Sequence, residues 1–463
     1  MTDLERAYKA LNDKVAGYKK LFDYFDGDQP VLYTAHRLAE IFRGIDAVFT
    51  ENWCAVVIDS TKDRINLSEI VVPDANAETW KRLWDGSELK LESDDTHEAV
   101  LVTGEAFLIA WPDEENTPQA YYNDPRLCHV FYDPSNPRVK QFAAKWFVDS
   151  DETVKLTLYY PDRLEYYRAQ KDPSSANAFQ PEDEPAANEY GEIPVFHFRL
   201  GKRTVKSDLK SVIPIQNGIN KLLADMMVAA EFGAFKQRYV ISNADTAGKL
   251  KNKPGEVWDV PAGDGVGQQT QIGELSSTDL DNYLKSIDNL SVAISSITRT
   301  PKYYFFSAGS NLSGEALIAM EAPLNKKAQD RIDRFIPVWR DVARFMLKIS
   351  GEEVDPSEIH VEFDKPATIQ PLTDAQILSA YVGAGVPLLT AVRWTGKDEE
   401  ELAQLEDDMN AAEAKAQTSL AQGLLEAQRR FNAGAGAQPT GVTGAMPANQ
   451  NQSTGVNGKV TNV

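Results

Sequence analysis

Apolar residues take up helical spacing as soon as the chain opens. Leu4, Tyr8, Leu11, Val15 and Tyr18 fall on one helix face, and the turn sequence Asp26-Gly27-Asp28-Gln29-Pro30 predicts its end. A second helical pattern follows, then the apolar turn Asn52-Trp53-Cys54-Ala55-Val56-Val57-Ile58-Asp59, so the first 70 residues read as helices. From about 97 to 200 the period drops to two. Segments 99–111, 128–132, 141–148, 153–160, 163–168 and 193–199 alternate or run apolar and aromatic between Pro, Asp, Asn and Gly, which predicts an antiparallel sheet domain. The stretch 171–192, rich in Pro, Ser, Asn and Glu, reads as a mobile surface loop.

Helical spacing returns after Ser207. Pro214 suits a first helical turn, where its missing N–H costs nothing, and Ile219, Leu222, Leu223, Met226, Met227 and Ala230 carry the pattern to about Lys236. A compact strand-and-turn insert over 238–272 follows, with Lys253-Pro254-Gly255 and the run Gly263-Asp264-Gly265-Val266-Gly267. A returning helix is expected to start near Thr278, as its cap, and to stop at Thr300 before Pro301. Two helices around a small β insert make a hairpin-like projection. After the loop 303–311, Ser313 caps a helix reaching Ser350, roughly 55 Å long at 1.5 Å per residue. Pro323 and Pro337 lie inside it and should kink it. Its stripe of Ile332, Phe335, Trp339, Val342, Met346 and Ile349 predicts packing on protein along most of its length. A short strand at 359–363 precedes Pro371, helices resume up to a last one over 398–431, and 432–463 is a disordered tail without apolar periodicity. The fold class is α+β.

Charge narrows the function. The 463 residues include 69 acidic and 48 basic ones, a net −21, which argues against tight binding to nucleic acid or adsorption to an anionic membrane. The opening Met1-Thr2-Asp3-Leu4-Glu5-Arg6 has no basic or apolar leader, and no apolar run approaches the roughly 20 residues that span a bilayer. Cys54 and Cys128 sit in apolar surroundings and read as buried free thiols in a reducing cytosol.

Chemistry-bearing motifs are missing where they would be needed. Gly201-Lys202, Gly396-Lys397 and Gly458-Lys459 lack the hydroxyl residue and upstream glycine of a phosphate-binding loop, and 263–267 lacks the third glycine of a dinucleotide-binding turn. The histidines at 36, 97, 129, 197 and 360 show no metal-ligand spacing; His197 reads as a sheet residue. Acidic clusters at 113–115, 182–184 and 406–408 read as solvated faces, and Tyr303-Tyr304-Phe305-Phe306 as a buried anchor for the loop that follows. No catalytic residue, metal or cofactor is expected, and the chain is not read as an enzyme.

Several stretches carry a family resemblance. They are Tyr24-Phe25-Asp26-Gly27-Asp28, Asn52-Trp53 with its helix, Gly104-Glu105-Ala106-Phe107, Tyr132-Asp133-Pro134 and Leu158-Tyr159-Tyr160-Pro161-Asp162. The sharpest are Ser207-Asp208-Leu209 through Pro214-Ile215-Gln216-Asn217-Gly218-Ile219-Asn220-Lys221 to Glu231-Phe232-Gly233-Ala234, and Asn311-Leu312-Ser313-Gly314-Glu315-Ala316. In this order they resemble the portal proteins of tailed bacteriophages, of the type common in siphophages of Gram-positive and actinobacterial hosts. Lys206 departs from the glycine usual before Ser-Asp-Leu.

The resemblance implies a wing (1–206), a first stem helix (207–236), a clip (237–276) and a second stem helix (277–300). It further implies a tunnel loop, kinked tunnel helix and wing return (301–370), a helical crown (371–431) and the tail (432–463). It implies a homo-dodecameric ring at one capsid vertex, a conduit for DNA packaging and ejection. The partners are the terminase large subunit, a head-completion adaptor, the major capsid and scaffolding proteins, and double-stranded DNA passing without sequence specificity; no membrane is involved. The protein would assemble in the host cytoplasm and end in the virion. Ser307, Gly309, Ser310 and Asn311 would line the channel, and Asp245, Asp264 and Glu274 would face terminase or adaptor. The alternative is another ring-forming head–tail connector or structural virion protein.

Overall fold

The computed structural model describes residues 1–30, 50–201, 204–234, 238–241, 271–274, 279–305, 313–366 and 371–394, with scattered helical positions between 402 and 425. The chain divides into two compact units, Met1–Thr368 and Ile369–Val463. Within the described residues it is a mixed helix-and-sheet fold of the α+β type, and each strand pairing is antiparallel.

Helix α1 (Asp3–Asp26) opens on a capping box between Thr2 and Glu5 and stops at Gly27, which adopts φ 89°. Its two halves serve different cores. Leu4, Ala7, Tyr8 and Leu11 pack on one face of a sheet, whereas Leu21, Phe22, Tyr24 and Phe25 join the main helical core. Next come α2 (Trp53–Lys62), β1 (Leu67–Val71), α3 (Ala77–Gly86) and α4 (Leu89–Thr103).

Strands β2 (Glu105–Pro112) and β3 (Pro118–Asn123) pair with the later β10 (Val195–Arg199) in the order β10-β2-β3. Strands β4 (Cys128–Tyr132), β5 (Lys140–Val148), β6 (Val154–Tyr159), β7 (Arg163–Ala169) and the two-residue β8 (Gln180–Pro181) run in sequence order through a second sheet. There β9 (Ala186–Ala187) also pairs with β7. Alternation along β2 explains the layering. Ala106, Leu108 and Ala110 face the helical core, while Phe107 and Ile109 face a core shared with Cys128, Val130, Ala143, Tyr159 and Val195. A strand covered on both faces reads as a continuous apolar run rather than a simple alternation.

Beyond β10 come α5 (Ile213–Ala234), the antiparallel pair β11 (Arg238–Ile241) and β12 (Gln271–Glu274), α6 (Asp281–Thr298) and the 36-residue α7 (Gly314–Ile349). The Ser313 hydroxyl accepts from the Ala316 N–H, as a cap should. Ile332, Phe335, Trp339, Val342, Met346 and Ile349 are all buried in the main core. There the Trp339 indole donates to His97 Nε2 at 3.0 Å, and burial pushes the His97 pKa down to about 3. Pro323 and Pro337 sit inside α7 on its exposed side. The carbonyls that their missing N–H groups leave free belong to Ala319 and Asp333, also exposed, where water can satisfy them. Strand β13 (His360–Phe363) returns to pair with β1. In the second unit α8 (Pro371–Gly383) and α9 (Leu388–Trp394) meet through Tyr381 and Trp394, edge to face at 5.4 Å.

Several sequence expectations change. Residues 99–103 are the end of α4, not the start of a strand: Ala99, Val100, Leu101 and Val102 are buried on all sides of the helix, and Gly104 at φ 98° ends it. Helices α3 and α4 and strand β3 fall where no such element was expected, and strand β1 starts at Leu67, inside the first 70 residues that read as helices. The stretch 171–192 is no free loop, because β8 and β9 pair with β7 and Phe179 is buried against α1. Helix α6 begins at Asp281 with Leu280 at its N-cap and no side-chain capping bond, while Thr278 lies outside the described residues. Both thiols are free and buried, and burial pushes each pKa up to about 12, which makes them inert.

Gly104 is a position where glycine is required. A Cβ there would lie 2.8 Å from the Lys206 backbone, in a left-handed conformation that side chains avoid. Gly104→Ala is expected to destabilise the fold by about 2 kcal/mol or more, read as a lower midpoint in chemical denaturation.

Candidate functional site

The stretches that carried the resemblance lie far apart in sequence, and the fold brings several of them to three junctions. The first fastens α5 to the start of the chain through buried amides. Gln216 Oε1 accepts from the Trp53 N–H at 3.0 Å, while its Nε2 donates to Glu51 O at 2.6 Å and to Asn220 Oδ1 at 2.9 Å. Asn220 Nδ2 donates to Gln29 Oε1 at 2.5 Å, and Gln29 Nε2 donates to Asn52 Oδ1 at 3.2 Å. Asn52 in turn donates to Phe25 O at 2.6 Å, and the Tyr24 hydroxyl donates to Asn217 Oδ1 at 2.7 Å. Gln216, Asn220 and Gln29 are each buried, so every amide group here must find a partner within the protein.

The second junction is Ser207-Asp208-Leu209. The Ser207 hydroxyl donates to Val102 O at 2.5 Å and accepts from the Leu209 N–H at 2.9 Å. Asp208 holds two cations of α7, Lys327 at 3.0 Å and Arg331 at 2.8 Å. The segment entering α5 is thereby tied to α4 on one side and to the long helix on the other.

The third junction lies under the sheets. Glu105 is 2% exposed; it accepts from the Tyr18 hydroxyl at 2.8 Å and pairs with Lys14 at 3.4 Å and with His197 Nε2 at 3.0 Å. Burial alone would raise its pKa, but the His197 hydrogen bond and the Lys14 charge hold it below the usual carboxylate range. His197 stands in β10, as its sequence context suggested, and burial lowers its pKa. Lys14 also donates to Cys128 O. Such a closed network fixes α1 to β2 and β10. Lys14 and Tyr18 could not be singled out from the sequence, because Glu105 lies 87 residues or more from both.

Helices α5 and α6 pack side by side, closely enough that a Cβ on Gly218 would meet Leu290 at 3.3 Å. At the far end of α5, β11 and β12 pair in the register Arg238↔Glu274 to Ile241↔Gln271. Tyr239 lies across Gly273, where a Cβ would stand 2.4 Å from its ring. Tyr239, Ile241 and Ile272 are about half exposed, which leaves this hairpin apolar and uncovered within one chain.

Of the sequence-predicted residues, Ser307, Gly309, Ser310, Asn311, Asp245 and Asp264 lie outside the described residues. Glu274 is the last residue of β12 and is exposed. The base of the 306–312 segment is described: Phe305 is buried edge to face against Trp53 at 5.2 Å, and Tyr304 accepts from Arg64 at 2.8 Å. Tyr303 donates to Glu321 of α7. The aromatics thus anchor the N-terminal base of that segment to α2, Arg64 and α7. Among the described residues no cluster of His, Cys, Asp or Glu could hold a metal, and no helix is long and apolar enough to cross a membrane.

By its match to a family model, the chain belongs to a known class of viral structural protein, the phage portal. Residues 5–415 match the family model described as "Phage portal protein, SPP1 Gp6-like", and the chain belongs to that family. It is also similar to the "Portal protein" of Mycobacterium phage L5, with 23% identity over 366 residues that cover 72% of this chain and 73% of that protein.

The amide junction should dominate the stability of α5. Gln216→Leu leaves the Trp53 N–H without its buried acceptor, takes one donor each from Glu51 O and Asn220 Oδ1, and is expected to cost about 2 kcal/mol or more. Lys221→Ala, which removes a half-exposed pair with Asp225 on the same helix, should cost at most about 0.5 kcal/mol. Denaturant titration of both variants against the parent checks the contrast.

Proposed function

We propose that the chain is the subunit of a dodecameric ring at one capsid vertex, through which DNA enters during packaging and leaves on ejection. The single observation that carries the reading is the family match over residues 5–415. The protein would assemble in the host cytoplasm among scaffolding and major capsid proteins and remain in the virion. The segment between α5 and α6, with Asp245, Asp264 and Glu274, is the docking tip for the terminase large subunit and then for the head-completion adaptor. Ser307, Gly309, Ser310 and Asn311 are the channel-facing tip before α7. Pro323 and Pro337 give α7 its bends. The role is structural, and no residue is assigned to catalysis.

The chemistry of the chain supports a conduit. Twelve copies at −21 each carry about −250, and a channel in such a body does not gather the counterion-release affinity that would hold DNA in place. A small, uncharged tip at 307–311 offers a moving polyanion neither a phosphate contact nor bulk. Ring contacts must then come from apolar surface, and the half-exposed hairpin residues Tyr239, Ile241 and Ile272 offer some.

Two charge-introducing variants separate the assigned surfaces. Ser310→Lys should leave rings and terminase capture intact but lower the DNA protected from nuclease in assembled heads by at least about twofold, because each subunit gains a phosphate contact. Asp264→Lys should leave rings intact but weaken terminase capture in a pull-down. Unchanged packaging with the first, or unchanged capture with the second, removes the corresponding assignment.

A further inference from the structure

A pocket of about 460 Å³ opens where the C-terminal end of α6, residues 200–201 and 204–211 and the middle of α7 meet. Two of its cations are already matched, since Lys327 and Arg331 are held by Asp208 at 3.0 and 2.8 Å. Its other acid, Asp330, pairs outward with Lys326 at 3.3 Å. That leaves Lys206 and Arg299, both exposed at the pocket and without an ion-pair partner among the described residues. Arg299 follows the last residue of α6 at φ 61°, a left-handed position that helix ends ordinarily give to glycine. An arginine endures that strain here while its side chain stands at the pocket wall. Beside the two cations, Ile297 and Val205 are 53% and 43% exposed.

We propose that this pocket is a subunit contact: it receives an acidic side chain of a second copy of this chain. The inference rests on the ring reading and gives it a specific surface. Two uncompensated cations on a chain of net −21 are complementary to the surface that any other copy presents. Exposed Ile297 and Val205 next to them favour a protein surface over a phosphate backbone, which would use the charges but not the apolar groups. Like-charged subunits also need such local matches, because their overall fields repel.

Full-length protein carrying Arg299→Gly, Lys206→Gln or both tests the contact. Glycine suits the left-handed backbone, so Arg299→Gly removes the guanidinium while relieving strain, and the thermal midpoint of the dissociated subunit should hold or rise. Native mass measurement across a concentration series should then show the double variant needing about tenfold more protein to assemble than the parent, with added salt narrowing the gap. If Arg299→Gly fails to fold, Arg299→Asn keeps a residue that tolerates this backbone and serves in its place. Variants that assemble at the parental concentration overturn the pocket contact and leave the ring reading standing. Normal assembly with reduced DNA protection also overturns it, by assigning the cations to DNA. A parent that stays monomeric under all conditions overturns the ring reading, and this contact with it.

Discussion

A helix as apolar as α5 has little in its own surface to decide how it sits. Dispersion and burial reward any close packing, whereas a buried amide rewards one geometry and penalises the rest. Gln216 and Asn220 supply that selectivity, since Gln29, Glu51 and Trp53 must all meet them within hydrogen-bond distance, and Gln29 must reach Asn52 as well. With α5 held at its base, α6 follows by close packing at Gly218, and the β11–β12 hairpin is carried to the far end. Without the amide junction, the pair of helices would have an anchor at Asp208 but no defined angle to the body.

The Asp208 and Glu105 junctions do the same work with charge. Each places one carboxylate between two basic groups inside the protein, so that the desolvation cost is met by pairing and by hydrogen bonds at short range. Removing the carboxylate would leave two buried basic groups without their shared partner. Asp208 has a second effect, because it joins the entry of α5 to the middle of α7. A displacement of the long helix is thereby felt at the start of the α5–α6 pair, and the pocket with Lys206 and Arg299 lies at that same joint.

Charge sets the terms for the molecule as a whole. Net −21 keeps copies apart unless apolar surface and local cations bring them together, and the described residues present both: Tyr239, Ile241 and Ile272 at the hairpin, Ile297 and Val205 beside Arg299 and Lys206. The same negative excess suits the proposed conduit, through which a polyanion would pass rather than bind.

Much of this was legible in the residues themselves. Gly27 as the end of α1, Ser313 as the cap of α7, its buried stripe from Ile332 to Ile349 and the burial of both thiols follow from local chemistry and periodicity, which act within a few residues. The order of short motifs sufficed to indicate the family. Other features needed the tertiary structure. The run at 99–103 is apolar enough for a strand or a buried helix, and only its surroundings, protein on every side up to Gly104, made it helical. The segment 171–192 looked like loop until β7 offered it an edge and α1 a site for Phe179. Above all, the bonds that join Tyr24 to Asn217 and Trp53 to Gln216 cross 193 and 163 residues. No local pattern encodes such pairings, because a buried amide is defined by the partners that folding brings to it.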